Sequence, residues 1–371
     1  MTACSHRISR RRCIACALAS AWLAPALLAE PPDFLEVLAR ARGLHFGSAA
    51  GGGAGRAGSF DDARVRELLR TQCGLLTPEN ELKWMALRPG PDSFNFVAGD
   101  RLAEFAARNG LLFRGHTLLW NRPERFPAWL TDYDFGTRPA TAAERVLRSH
   151  IATVCTHYRD SVFAWDVINE TIDPGNGQLR QSVLSQRLGP QLIDIAFHAA
   201  REAAPGARLT YNDYMGWGPG SAEHRAGVLR MLQQAKARAV PIDALGVQSH
   251  LDTGPAQPAE WRHFLDEVAS LGLDIVITEF DVDDGLLAGD AASRDQATAA
   301  LARTYMDLML SYPQLKYVLT WGMVDRYSWL QDRSARSDGT PKRPLPYDDA
   351  YRPKPMREAI AAAFRAAPDR S

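Results

Sequence analysis

Two kinds of apolar pattern alternate along the chain. Short runs rich in Val, Ile, Leu and aromatic residues read as strands at 45–49, 75–77, 111–118, 163–167, 208–211, 244–248, 274–278 and 317–320. Between them, apolar positions recur every three or four residues, as helices require. Such patterns cover 100–109 (Leu102, Phe105, Ala106), 141–158 (Leu147, Ile151, Val154, Tyr158), 191–203, 221–238, 258–270, 295–312 and 357–367. A leading helix at 31–43 gathers Phe34, Leu35, Leu38 and Ala39 on one side. Ser59 reads as the N-cap of a helix whose inward face is Val65, Leu68 and Leu69, with Gly74 ending it, and Thr141 with Glu144 reads as a capping box. Eight strands alternating with helices predict the α/β class with a parallel sheet. The even count favours closure into a (β/α)8 TIM barrel forming a single catalytic domain over residues 30–371. No Pro-, Ser- or Gly-rich linker divides it. The Gly-rich stretch 51–55 lacks the Gly-Lys-Ser/Thr ending and the spaced GxGxxG of phosphate loops, so it reads as a loop at the barrel mouth.

The first 29 residues carry a different pattern. Arg7, Arg10, Arg11 and Arg12 precede an Ala/Leu-rich run at 13–28, and Ala24-Pro25-Ala26 or Leu27-Leu28-Ala29 supplies a cleavage site. Residues 1–29 are therefore expected to be a signal peptide, directing the chain to the periplasm or out of the cell. Ser9 to Ile14 resembles a twin-arginine signal with Cys13 where an aromatic is usual; Sec export is the alternative. Cys4, Cys13 and Cys16 would leave with it. Cys73 and Cys155 remain, expected as buried free thiols and not in metal-binding spacing.

Charge narrows the partners. With 43 basic and 43 acidic residues and no net charge, nothing favours nucleic acid or an anionic membrane. Nine Trp and ten Tyr offer flat apolar faces with a polar edge, which suit sugar rings when they lie in loops.

The chemistry collects where strands run out. Glu79, Asn80 and Lys83 follow the second strand; His116, Trp120 and Asn121 the third; Asn169 and Glu170 the fourth. Asn212 and Tyr214, Gln248 and His250, Glu279 and Asp281, and Trp321 and Trp329 follow the later ones. Core strands have no use for such groups unless they project into a shared, partly wet mouth.

The segments TPENELKW (77–84), GHTLLW (115–120), WDVINE (165–170), YNDY (211–214), GVQSHL (246–251), ITEFDV (277–282) and the Trp-rich stretch 321–329 resemble glycoside hydrolase family 10 endo-1,4-β-xylanases. They stand in that family's order and spacing over roughly residues 33 to 365. The resemblance implies retaining hydrolysis of internal β-1,4 bonds, with Glu170 as general acid then general base and Glu279 as nucleophile. One carboxyl must be protonated and the other ionised, about 5–5.5 Å apart, so their surroundings must differ. Asn169 and His250 are expected to help, His250 by hydrogen-bonding Glu279 while Asp281 orients it. By the same resemblance Glu79, Asn80 and Lys83 hold xylose hydroxyls on the glycone side. Gln248 binds sugar near the nucleophile, His116 and Trp120 contact sugar, Trp321 and Trp329 wall the reacting ring, and Asn212 and Tyr214 lie nearer the aglycone.

Xylan and xylo-oligosaccharides are the implied partners, with no cofactor or metal, no membrane in the mature form, and a monomer expected. Three departures from the family pattern touch the subsite rim: Asn121 where many members have His, Pro123 beside it, and Arg326 for a common Lys. The family's frequent loop disulfides are absent, which suits export in the folded state. Two alternatives stay open. A related retaining glycanase acting on cellulose or aryl glycosides would carry the same carboxylate pair. A non-catalytic xylan-binding barrel would be expected to lack one of the two.

Overall fold

A computed structural model describes residues 33–370 except 54 and 334; the expected signal at 1–29, with Cys4, Cys13 and Cys16, lies outside the described residues. Ten strands follow in order: β1 His45–Ala50, β2 Leu75–Pro78, β3 Leu112–Gly115, β4 Leu119–Trp120, β5 Val162–Asn169, β6 Arg208–Asp213, β7 Ala244–Val247, β8 His250–Asp252, β9 Asp274–Asp283 and β10 Leu315–Thr320. Eight of them pair in the order β1-β2-β3-β5-β6-β7-β9-β10, and β10 returns to β1, every pairing parallel. This is the closed barrel that the alternation predicts. The short β4 and β8 extend the wall beside β5 and β9 at the ends where β3 and β7 stop.

Leu75, Ala244, Val276, Tyr317 and Leu319 form a core of their own, with Leu112 and Phe163 packed against it. The Phe163 and Tyr317 rings, on strands that do not pair, meet edge to face at 6.0 Å, so this cluster fills the barrel interior. A much larger core lies between the sheet and the surrounding helices, reaching from Leu35 to Ala367. Cys73 and Cys155 are buried in it as free thiols.

Several local expectations need correction. Ser59 caps nothing: it lies in a 3-10 turn, Gly55–Asp61, and its hydroxyl accepts from the Gly51 amide at 3.1 Å, pinning the Gly-rich loop. The cap of helix Ala63–Gln72 is Asp62, which accepts from the Arg64 amide at 2.8 Å. Thr141 is not a cap either. Pro139 presets helical φ at the first turn, so helix Pro139–His157 starts two residues earlier and Thr141 is already inside it. The single strand expected at 111–118 breaks after Gly115 and resumes as β4. β5 and β9 run further than expected, to Asn169 and Asp283.

Candidate active site

The strands end along one rim, and the polar groups meet there. β5 delivers Asn169 at its tip, and Glu170 follows with left-handed backbone, φ 55°. For a non-glycine residue that conformation costs about 1–2 kcal/mol. The Glu170 amide, donating to the Asn212 carbonyl at 2.9 Å, helps hold it. Ser249, φ 62°, makes the same kind of kink just after Gln248. Both kinks re-aim side chains where strand gives way to loop.

Glu170 and Glu279 are each only 5% exposed, and amide side chains tie them together. Asn212 Nδ2 donates to Glu279 Oε1 and to Asn169 Oδ1, both at 2.8 Å. Asn169 Nδ2 donates in turn to Glu170 Oε1 at 3.1 Å. Gln248 Nε2 reaches the same Glu170 oxygen at 2.9 Å and Asn169 Oδ1 at 3.3 Å. The Thr278 hydroxyl, 2.7 Å from Asn212 Oδ1, fixes which end of that amide turns to the carboxylates. Asn212, expected nearer the aglycone side, thus bridges the two acids.

The other Glu279 oxygen faces an imidazole. His250 Nε2 lies 3.3 Å from Glu279 Oε2, and its Nδ1 lies 2.9 Å from Asp281 Oδ1. Trp329 Nε1 donates to the second Asp281 oxygen at 2.9 Å and packs 4.9 Å from the His250 ring. Burial by itself would push the imidazole down, but Asp281 and then Glu279 outweigh it and raise His250 to about 10. Burial by itself would push Glu279 up; the His250 hydrogen bond, with His116 and Lys83 nearby, outweighs it and brings Glu279 down to about 2. Glu279 is therefore ionised across the whole neutral range.

Lys83 is no solvated surface charge. Its Nζ donates to Asn80 Oδ1 at 2.9 Å and sits 4.7 Å from the Trp120 ring centre and 6.0 Å from that of Trp321. Burial lowers its pKa against the pull of Glu79, Glu279 and Glu170. Glu79 is pushed up to about 7 by burial, with Lys83 opposing and Glu81 and Glu279 adding to the rise. His116 is buried 5.3 Å from the Trp321 ring, and its Nδ1 lies 2.8 Å from Asp166 Oδ2. Tyr214 joins through Arg180, which donates to the Tyr214 hydroxyl and to the Glu170 carbonyl, both at 3.1 Å.

Sequence reasoning missed four of these parts. Arg122 Nη1 donates to Glu170 Oε2 at 3.1 Å, and Arg180 braces the backbone of Glu170. Asp166 orients His116 and is itself paired with buried Arg114. Two opposite charges inside two strand patterns were the available signal for that last pair, since a buried charge needs a partner. Asn121 is also not where the family pattern puts it. It is buried, donates to the Thr171 hydroxyl at 2.8 Å and accepts from the Ser182 hydroxyl at 2.6 Å, pinning the loop after Glu170 instead of facing the rim. Two cavities, of about 320 and 260 Å³, lie apart from the carboxylates; Arg294, Asp325 and Arg343 help line the first, Arg56, Arg326 and Arg336 the second.

A parallel barrel that carries two linked carboxylates at its strand ends, one firmly ionised, has the layout of a carboxylate-pair glycosidase. Residues 35–363 match the family model for glycosyl hydrolase family 10, and the chain belongs to that family. It is 33% identical over 331 residues to endo-1,4-beta-xylanase B of Thermotoga neapolitana, covering 88% of this chain and 90% of that protein. Endo-1,4-beta-xylanase A of Phanerodontia chrysosporium is 31% identical over 336 residues, 89% of this chain and 77% of that one. Among solved structures, native xylanase 10B from Thermotoga maritima superposes with a TM-score of 0.80 at 32% identity, over 89% of this chain and 98% of that one. The same values of TM-score, identity and coverage of this chain hold for xylanase 10B from Thermotoga petrophila, whose structure is a complex with xylobiose and is covered to 97%.

Proposed function

We propose that the chain is an endo-1,4-β-xylanase that cleaves internal β-1,4 bonds of xylan with net retention, Glu170 acting as acid and base and Glu279 as nucleophile. The roles follow the matched segments, and the observation that supports them is the setting of Glu279. Glu279 is flanked by the His250 imidazole and the Asn212 amide, which favour its charge. In the first step the carboxylate of Glu279 attacks the anomeric carbon as Glu170 gives its proton to the departing glycosidic oxygen. In the second, Glu170 takes a proton from water, the water oxygen bonds to the same carbon, and Glu279 leaves. Glu79, Asn80, Lys83, His116 and Gln248 supply polar groups for sugar hydroxyls, and Trp120, Trp321 and Trp329 supply ring faces.

Initial rates on xylan and on carboxymethylcellulose test the substrate, since faster cleavage of cellulose would reassign it. Reducing-sugar release by Glu279→Ala should fall by several orders of magnitude; unchanged release would leave a binding barrel or a different nucleophile. The basic and then apolar order of residues 7–28 supports export of the chain, and N-terminal sequencing of the protein recovered outside the cytoplasm tests it.

A further inference from the structure

Arg122 stands in an unusual place for this chemistry. Its Nη1 donates to Glu170 Oε2 at 3.1 Å and its Nε to Glu124 Oε1 at 2.7 Å, while its Nη2 hydrogen-bonds no described residue. Its side chain keeps 30% of its exposure, whereas that of Glu170 keeps 7%. Arg125, exposed on the same turn, holds its guanidinium 4.4 Å from the Trp120 ring centre. Arg180, mostly buried, braces Glu170 and Tyr214 from another side. The proton donor of the proposed reaction is thus met by two guanidiniums, Arg122 at its carboxylate and Arg180 at its backbone carbonyl, with Glu124 and Asp173 as their counter-charges. Neutral sugars give no reason for a partly exposed guanidinium on the proton donor.

An ion pair to Glu170 suits its later role as a base and works against its earlier role as an acid. A guanidinium that touches the proton donor is also within reach of the sugar whose oxygen that donor must meet. Its planar fork, one Nη of which is uncommitted, matches a carboxylate better than it matches hydroxyls. We infer that Arg122 is a specificity-determining residue that selects xylan bearing a carboxylate, a uronic acid branch, on the leaving-group side of the cut. The substrate carboxylate draws the guanidinium off Glu170 and leaves that side chain to the glycosidic oxygen. The inference rests on the assignment of Glu170 as proton donor.

The test uses the full-length mature protein and three xylo-oligosaccharides of equal length: unbranched, carrying one uronic acid branch, and carrying the methyl ester of that branch. The ester keeps the shape and removes the charge. Wild type should show a kcat/KM for the acid about tenfold or more above that for the ester, and added NaCl should shrink the ratio. Arg122→Gln should bring the ratio to about one, and Arg122→Lys should restore part of it, because the charge returns without the fork. The ratio is internal to each enzyme, so a loss of folded protein does not alter it. A wild-type ratio of one or below overturns the inference, as does a ratio that Arg122→Gln leaves unchanged. Failure of the underlying reading looks different: the unbranched oligosaccharide would not be cut, or Glu170→Ala would cut it as fast as wild type.

Discussion

His250 is wedged between two carboxylates, and each of its nitrogens can satisfy one only if both carry protons. The consequence is a pH dependence with a definite sign. Folding raises His250 to about 10 from 6.5, so its stabilising contribution is complete below about pH 6.5 and is lost as pH rises through about 10. Glu279, lowered to about 2 from 4.5, contributes above about pH 4.5 and loses that contribution as pH falls through about 2. His250→Asn keeps a donor beside Glu279 but removes the charge. The acid limb of kcat/KM should then move to higher pH by about one unit or more, and the stability gap to wild type should close between neutral pH and pH 10. A limb that stays put would mean that the imidazole does not set the charge on Glu279. Resemblance to a family made this pair legible in the sequence, because both residues lie inside matched segments. It did not reach Arg122, which falls where the chain leaves the family pattern. Nor did it give the pairing of Arg114 with Asp166: Asp166 lies inside a matched segment, but its partner stands 52 residues away in another strand. Arg114→Met should strand Asp166 with His116 alone and cost about 3–5 kcal/mol, read as a lower urea midpoint. A stability within about 0.5 kcal/mol of wild type would mean that this buried pair is replaceable.

Strands and helices were legible from periodicity, but their ends were not. An apolar run says that a segment is buried; it does not say where backbone pairing stops, and β5 and β9 keep pairing into their polar tips. Those last residues matter most, because they bring Asn169 and Glu279 into the barrel wall instead of a loop. The start of helix Pro139–His157 went to Thr141 because a capping box is a local signal, and the proline two residues earlier overrode it. Gly246 shows how an element serves the site without touching substrate. It pairs with Asn212 across β7 and β6, and a Cβ there would lie 2.4 Å from Asn212 Oδ1. Only glycine leaves that amide room to hold Glu279 and Asn169 together. Gly246→Ala should therefore reduce kcat about tenfold to a hundredfold while far-ultraviolet circular dichroism stays that of wild type. Full activity would show that Asn212 can shift without disturbing the acids.

At the scale of the whole molecule, eight alternations predicted closure but not how the seam is sealed. β10 meets β1 there, joining the last barrel strand to the first. The two outermost described helices, Leu35–Arg40 and Pro355–Ala366, pack on each other over that seam. Arg357 Nη1 donates to Asp33 Oδ2 at 3.1 Å, and Phe364 meets Phe46 of β1 edge to face at 6.1 Å. Phe364 is fully buried, so Phe364→Ala removes a large side chain with little around it free to collapse, at an expected cost of about 3–5 kcal/mol. The loss should not stay local. β10 also pairs with β9, which carries Glu279, so loosening the seam loosens the wall that holds the proposed nucleophile. Urea titration followed in parallel by tryptophan fluorescence and residual xylan cleavage should give coincident curves, both displaced to lower urea in the variant. Activity lost well before the fluorescence change would instead assign the seam a separate, locally opening unit, with the carboxylates depending on it more than the rest of the barrel does.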